Sequence, residues 1–288
     1  MSYPDFFIVG GSRCGTTSLY SYLKQHPDVF LPERKEPHYY SSQSTPLPYW
    51  LLPLKSIITK QDYLQLFEDS KENMIVGDAS STYLMNLDAP KLIFEDNPNA
   101  KIIISLRNPI DRTYTAYLAQ YRSGNEKRSF GESIRRDFSA ITGEELQRQS
   151  ALNSDYYEYV KNYYHYFPKE HIKIIIFEEF IKNPKQTMKE LLHFLNLSTE
   201  LNIKYEQYNE FKFPKNEVSK AIVNNRFIVN ISLALIPAKI RHYIFRQFVT
   251  RTKPMMLEKD RDFLKEQYVG AVKKLESLLN RDLPWEIQ

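Results

Sequence analysis

The sequence predicts an α/β protein, a parallel sheet flanked by helices, with residues 1–288 forming a single domain. Three observations carry that reading. Short apolar runs at 6–9, 74–76, 101–106 and 172–177 alternate with segments of helical spacing. Such alternation favours a parallel sheet, whose strands need helical crossovers. A glycine-rich segment lies between the first run and the first helical stripe, in the order strand, loop, helix. The chain has 288 residues, 42% apolar and 26% charged, ordinary proportions for a soluble domain and enough to bury a sizeable core.

The elements follow in order. After the run at 6–9, Leu19, Tyr22, Leu23 and His26 fall at i, i+3, i+4 and i+7, one face of a helix. The runs at 74–76 and 101–106 are the second and third strands. Asn108-Pro109 then offers an N-cap with proline at the first helical position, and Ile110, Tyr114, Tyr117, Leu118 and Tyr121 form its apolar stripe. The run at 172–177 is the next strand, and Asn183-Pro184 marks another helix start. Leu264, Tyr268, Val272, Leu275 and Leu279 make a final stripe. Residues 41–60 and 123–153 read as insertions or long loops, and 212–256 show no strand pattern and are rich in cations.

Composition excludes several classes. The single cysteine, Cys14, excludes an internal disulfide framework and a thiolate-rich metal site. A net charge of +4 suits anionic ligands but falls far short of a nucleic-acid-binding tail, so no nucleic-acid partner is expected. With the first strand starting at Phe6, no signal peptide or anchor is expected before it. The apolar stretch 227–238 is broken by Asn230, Ser232 and Pro237 and is too short to span a bilayer. A reducing, cytoplasmic setting is the simplest expectation.

Two loops carry phosphate chemistry. In Gly10-Gly11-Ser12-Arg13-Cys14-Gly15-Thr16-Thr17-Ser18-Leu19, loop N–H groups and the positive end of a helix converge on one point. Gly10 and Gly15 have P-loop spacing, but Thr16 stands where the Walker motif needs lysine, which disfavours ATP γ-phosphate chemistry. The cation is Arg13 instead. In the second loop, Arg107 ends a buried strand and Asn108, Asp111 and Thr115 share one helix face. An arginine and a hydroxyl at a helix start grip a phosphate by charge-assisted bonds.

The residues 11–19 resemble the 5′-phosphosulfate-binding loop of sulfotransferases, which use 3′-phosphoadenosine 5′-phosphosulfate (PAPS) as donor. The continuation His26-Pro27-Asp28-Val29 and then Lys35-Glu36-Pro37-His38-Tyr39-Tyr40 is similar to the branch containing heparan sulfate sulfotransferases and many bacterial carbohydrate sulfotransferases. Residues 107–115 resemble the family's 3′-phosphate motif, with Thr115 where serine is usual. The resemblance implies a P-loop-like fold, donor binding by Gly11, Ser12, Arg13, Cys14, Gly15, Thr16, Thr17 and Ser18, and 3′-phosphate binding by Arg107 and Thr115. It also implies nucleotide contacts from Tyr157 and from Lys215, with Lys220 in the same loop. Glu36 aligns with the family's catalytic glutamate, with His38 the second candidate base, and no metal is implied. Arg13 occupies the place of the usual lysine and can neutralise a leaving phosphate, but it is a poor proton donor. In Gly77-Asp78-Ala79-Ser80-Ser81, Ala79 replaces a lysine of the heparan sulfate enzymes, and Lys35 is the candidate to supply the missing cation.

The expected function is therefore PAPS-dependent sulfuryl transfer to a hydroxyl or amine of a carbohydrate, glycolipid or small alcohol. The alternatives are a P-loop kinase-like protein and a catalytically silent nucleotide-binding protein. The stretch 239–253 places Lys239, Arg241, His242, Arg246, Arg251 and Lys253 among apolar residues. It reads as an amphipathic element packed on the core, drawing in an acidic glycan, or resting on an anionic membrane as a peripheral contact.

Overall fold

In β1 (Phe6–Gly10) all five residues are buried, and alternate side chains enter different cores. Phe6 and Ile8 join a cluster with Leu19, Leu23, Ile103, Met188 and Leu191. Phe7 and Val9 join the larger cluster on the other face, with Ile102, Ile104, Val160, Tyr163, Leu264 and Tyr268. A strand apolar on both faces belongs at the centre of a covered sheet. The computed structural model describes residues 3–43, 56–139, 154–206, 213–215, 219, 236–237, 240, 244, 247–250 and 252–287.

The sheet adds β2 (Val29–Phe30), β3 (Ile75–Ala79), β4 (Lys101–Leu106) and β5 (Ile172–Ile176), in the order β2-β3-β1-β4-β5. Every pairing is parallel, with Phe6 opposite both Gly77 and Lys101, and Ile102 opposite Ile172. The four predicted runs are four of these strands. β2 is too short for a sequence signal. β3 runs three residues beyond the predicted 74–76, because Gly77, Asp78 and Ala79 pair with Phe6, Phe7 and Ile8 of β1, and the buried Asp78 carboxylate is satisfied by hydroxyls.

The helices are α1 (Thr16–Leu23), α2 (Tyr39–Gln43), α3 (Lys60–Gln65), α4 (Ala89–Asp96), α5 (Pro109–Ser123), α6 (Phe130–Ser139), α7 (Tyr157–Tyr166), α8 (Phe177–Lys182), α9 (Pro184–Phe194) and α10 (Glu258–Leu279). Both predicted caps form: Asn108 accepts from the Ile110 and Asp111 amides, and Asn183 from that of Gln186. The stripe Leu264, Tyr268, Val272 and Leu275 is the buried face of α10. A two-stranded antiparallel ribbon pairs Phe213 with Thr250 and Pro214 with Val249. Most of 44–55, 140–153 and 207–251, including Lys220, Lys239, Arg241, His242, Arg246 and Arg251, lies outside the described residues.

The topology fixes where a ligand sits. β1 is the central strand, with neighbours that continue the chain to either side, so a crevice opens beyond the carboxyl ends of the strands. The loops after β1, β3, β4 and β5 all reach it.

Candidate active site

A cleft of about 710 Å³ lies at those strand ends. Its lining includes Ser12, Arg13, Gly15, Thr16, Thr17 and Ser18 from the first loop, Glu36, Ser81, Arg107, Thr115, Arg122, Phe177 and Lys253. The phosphate loop, the candidate base and the candidate 3′-phosphate residues thus share one cavity.

The first loop is shaped by close approach. A Cβ on Gly10 would lie 2.6 Å from the Ser105 carbonyl oxygen of β4. Gly15 has φ +85°, and a Cβ there would lie 2.9 Å from the Phe177 ring. Gly15 is also the N-cap of α1 and provides no side-chain acceptor, so the first-turn amides at Thr16 and Thr17 remain available to an anion. Arg13, at φ +75°, stands over this opening. Burial lowers the Arg13 pKa, as does repulsion from Arg122, Arg112 and Arg107, against attraction from Glu36. An anion would relieve that crowding of positive charge. Arg112 was not legible as a loop residue, yet it is only 2% exposed, and its Nε donates to the Ser12 carbonyl at 3.1 Å.

The second loop meets the first directly. Arg107 Nη1 donates to the Arg13 carbonyl at 3.1 Å, and the guanidinium lies 4.6 Å over the Phe177 ring. Among the described residues the buried Arg107 Nε has no hydrogen-bond partner, which makes it a donor suited to an incoming oxyanion. Thr115 Oγ1 donates to the Asp111 carbonyl at 2.7 Å and accepts from Lys253 Nζ at 3.1 Å. Lys253, which the sequence reading placed only in the basic stretch, therefore joins Arg107 and Thr115. Burial, then repulsion from Arg107, brings its ammonium down to about 8 against attraction from Asp111.

Across the cleft, Glu36 is set in a backbone turn of unusual conformation. Glu36 and His38 have φ +59° and +58° on either side of Pro37, a region that costs energy for residues with side chains and that clusters at functional sites. Residues 79–82 hold this turn. Glu36 N donates to the Ala79 carbonyl at 3.0 Å, His38 N to Ser80 Oγ at 3.2 Å, and Ser81 Oγ to Glu36 Oε2 at 3.0 Å. His38 Nδ1 lies 2.8 Å from Thr82 Oγ1. Ser41 Oγ donates to that same Thr82 oxygen. Nε2 faces Glu36 Oε2 at 3.4 Å.

Lys35 Nζ donates to Glu36 Oε1 at 2.6 Å, so this cation does reach the carboxylate. Burial pushes the Glu36 carboxyl up, but the charge and hydrogen bond of Lys35, then His38 and Ser81, outweigh it and hold the group below its usual range. Burial drives His38 below the ordinary imidazole value despite the pull of Glu36. At neutral pH the geometry therefore presents an ionised Glu36 beside a neutral His38. Ala79 is 3% exposed in the smaller core cluster, so its position faces packing rather than the cleft.

Some expected residues stand elsewhere. The side chain of Cys14 is buried, with Sγ 3.8 Å from Tyr156 OH, and burial pushes its thiol up to about 11. Its amide donates to the Gly11 carbonyl, so Cys14 and Gly11 build the loop from behind. Tyr157 lies on α7 beneath Lys161 and Lys274, at 5.5 and 5.8 Å, and is not part of the cleft lining. Lys215 is exposed and pairs through its amide with the Phe248 carbonyl, while Phe213 of the same ribbon does line the cleft.

A parallel α/β sheet with a cationic, glycine-shaped loop at its switch point and no Walker lysine defines a nucleotide-phosphate-binding domain of the P-loop-like class. Within that class the chain belongs to the sulfotransferase domain family, whose profile matches residues 3–275. Among solved structures, a sulfotransferase from Alicyclobacillus acidocaldarius is 27% identical and superposes with a TM-score of 0.75 over 98% of both chains. Human carbohydrate sulfotransferase 15 is 27% identical over 245 residues, 67% of this chain and 44% of that protein. The bifunctional heparan sulfate N-deacetylase/N-sulfotransferase of Drosophila melanogaster is 26% identical over 302 residues, 98% of this chain and 27% of that protein. The chain thus spans less than half the length of these two curated relatives. Among the described residues, no helix is long and apolar enough to cross a membrane.

Proposed function

We propose that this protein transfers a sulfuryl group from PAPS to a hydroxyl of a carbohydrate acceptor, with Glu36 as general base. The observation that carries the proposal is the placement of an ionised glutamate, paired with Lys35 at 2.6 Å, in the same cleft as the phosphate loop and the Arg107–Thr115–Lys253 cluster. A kinase-like reading lacks a lysine at Thr16. A silent binding protein has no need of a strained turn that presents a carboxylate to the donor.

In this mechanism the loop amides, Thr16, Thr17, Ser18 and Arg13 receive the 5′ end of the donor, and Arg107, Thr115 and Lys253 receive its 3′-phosphate. The acceptor hydroxyl oxygen attacks sulfur in line with the bridging oxygen of the leaving group. Its proton passes to Glu36, an S–O bond forms to the acceptor, and the S–O bond to the 5′-phosphate breaks. The electron pair remains on the 5′-phosphate of adenosine 3′,5′-bisphosphate, where Arg13 and the loop amides offset the charge. Arg13 acts here by charge rather than as a proton donor.

The carbohydrate acceptor is taken from the names of the relatives, which are carbohydrate and heparan sulfate sulfotransferases. A cytoplasmic setting with peripheral membrane contact through 239–253 belongs to the same proposal, and binding to anionic vesicles tests it. Incubation with labelled PAPS and a panel of glycans, glycolipids and small alcohols tests the reaction. Label on a glycan supports it, and label on none of the acceptors, with ATP bound more tightly than PAPS, would return the chain to the kinase-like class.

A further inference from the structure

We infer that Asp78 and Ser80 are positioning residues for Glu36: the buried Asp78 carboxylate fixes the Ser80 hydroxyl, and that hydroxyl anchors the left-handed turn which presents the base. The inference rests on the proposed role of Glu36.

Asp78 is fully buried near the end of β3, and among the described residues no lysine or arginine pairs with it. A carboxylate in such a place is costly unless hydrogen bonds satisfy it. Three hydroxyls do so. Tyr63 and Tyr83 donate to Oδ2 at 2.9 and 2.8 Å, and Ser80 donates to Oδ1 at 2.9 Å. The tyrosines alone would tie β3 to its neighbours. The serine does more, because a hydroxyl has one proton. With that proton committed to Asp78, the Ser80 oxygen turns its lone pairs outward, and one accepts the His38 amide at 3.2 Å.

That amide lies at the far end of the strained segment. Glu36 and His38 both have positive φ, so the turn persists only where its surroundings over-determine it. At its near end the Glu36 amide is held by the Ala79 carbonyl. At the far end the Pro37 and His38 carbonyls accept from the Ile57 and Ser42 amides and the His38 ring meets Thr82, while the His38 amide itself is held by Ser80. Without that bond the buried His38 amide loses its acceptor and the positive-φ segment loses one of the bonds that hold it, which loosens the placement of the Glu36 carboxylate against Lys35 and Ser81. Asp78 thus acts on the reaction through two hydrogen bonds and touches neither donor nor acceptor.

Asp78 also faces Tyr40 and Tyr163, and its charge opposes that of Glu36. Burial, eased by the three hydroxyl bonds and reinforced by Glu36, brings its carboxyl to about 6.

The test uses Ser80→Ala, which deletes a single hydroxyl, alongside Asp78→Asn, which keeps the shape but leaves one acceptor oxygen for the three hydroxyl donors of Tyr63, Tyr83 and Ser80. Turnover is read with labelled PAPS and a mixed pool of glycan chains, and donor-site integrity by calorimetry with adenosine 3′,5′-bisphosphate. The expected result is a loss of about tenfold or more in kcat for both variants, with nucleotide affinity within about twofold of the parent. Combined with Glu36→Gln, Ser80→Ala should add no further loss beyond about twofold, because a residue acting through the base has nothing left to position. A kcat for Ser80→Ala equal to that of the parent overturns the proposal. So does a loss that persists in full on top of Glu36→Gln. Glu36→Gln itself matching the parent would instead remove the base assignment beneath it. An arm independent of acceptor is the Glu36 titration by carboxyl NMR. In Ser80→Ala it should move up toward the ordinary glutamate value, and an unmoved titration contradicts the proposal.

Discussion

Replacing Arg107 with alanine should separate the two ends of the nucleotide. In the free protein Arg107 Nη1 donates to the Arg13 carbonyl at 3.1 Å, and among the described residues its buried Nε has no partner. It also stands on the wall where Lys253 reaches Thr115. A 3′-phosphate there would gain at least one charge-assisted bond from Arg107, and each such bond contributes roughly 1.5–3 kcal/mol. The loss on truncation corresponds to about ten- to hundredfold in affinity. Calorimetry with adenosine 3′,5′-bisphosphate and with 5′-AMP reads the effect. The parent should prefer the bisphosphate, and Arg107→Ala should lose most of that preference while binding 5′-AMP nearly as before. Thr115→Ala should lose less, since its hydroxyl is neutral. Equal losses for both nucleotides would refute the assignment of this wall to the 3′-phosphate.

Three further outcomes follow from the same geometry. Lys253 is held down to about 8, so raising the pH from 7 to 9 should neutralise it and weaken bisphosphate binding by up to about tenfold. Lys253→Ala should flatten that dependence, and an equally steep profile in the variant would contradict it. Lys35→Met removes the main influence keeping Glu36 low, burial then dominates, and the acid limb of the kcat profile should move to higher pH. An unchanged limb would show that the pair has no part in catalysis. Arg13→Ala should weaken both donor binding and turnover, by about tenfold or more in each, and calorimetry beside initial rates checks whether binding falls as well.

The parts of the site carried by local pattern were legible in the sequence. Gly10 and Gly15 mark the first loop because a Cβ would lie 2.6 Å from the Ser105 carbonyl of β4 at the one and 2.9 Å from the Phe177 ring at the other. Asn108 and Asn183 mark helix starts because proline follows each and their side chains accept first-turn amides. The Lys35–Glu36 pair was less legible. In an extended chain, adjacent side chains point to opposite faces, whereas here the chain turns at Glu36, at φ +59°, and the two side chains meet. Lys253 was invisible as a partner of Thr115 because 138 residues separate them. Arg112 was hidden for a similar reason, lying 100 residues from the carbonyl it holds. Asp78 read as one acid in a segment of small residues, and although Ser80 and Tyr83 lie close by in the chain, no pattern shows that their hydroxyls and that of Tyr63 turn onto it. Tyr157 illustrates the opposite difficulty. Its neighbour Tyr156 is the one behind the phosphate loop, and helix periodicity alone does not choose between adjacent tyrosines.

The central claim is that this cleft performs sulfuryl transfer with Glu36 as the base. The most direct measurement compares the parent with Glu36→Gln, using labelled PAPS and a glycan acceptor, beside calorimetry with adenosine 3′,5′-bisphosphate. The account predicts transfer by the parent, a fall of about hundred- to ten-thousandfold in kcat for the variant, and nucleotide affinity nearly unchanged. A variant that binds the nucleotide as the parent does and retains most of its kcat would contradict the account and pass the proton to another group.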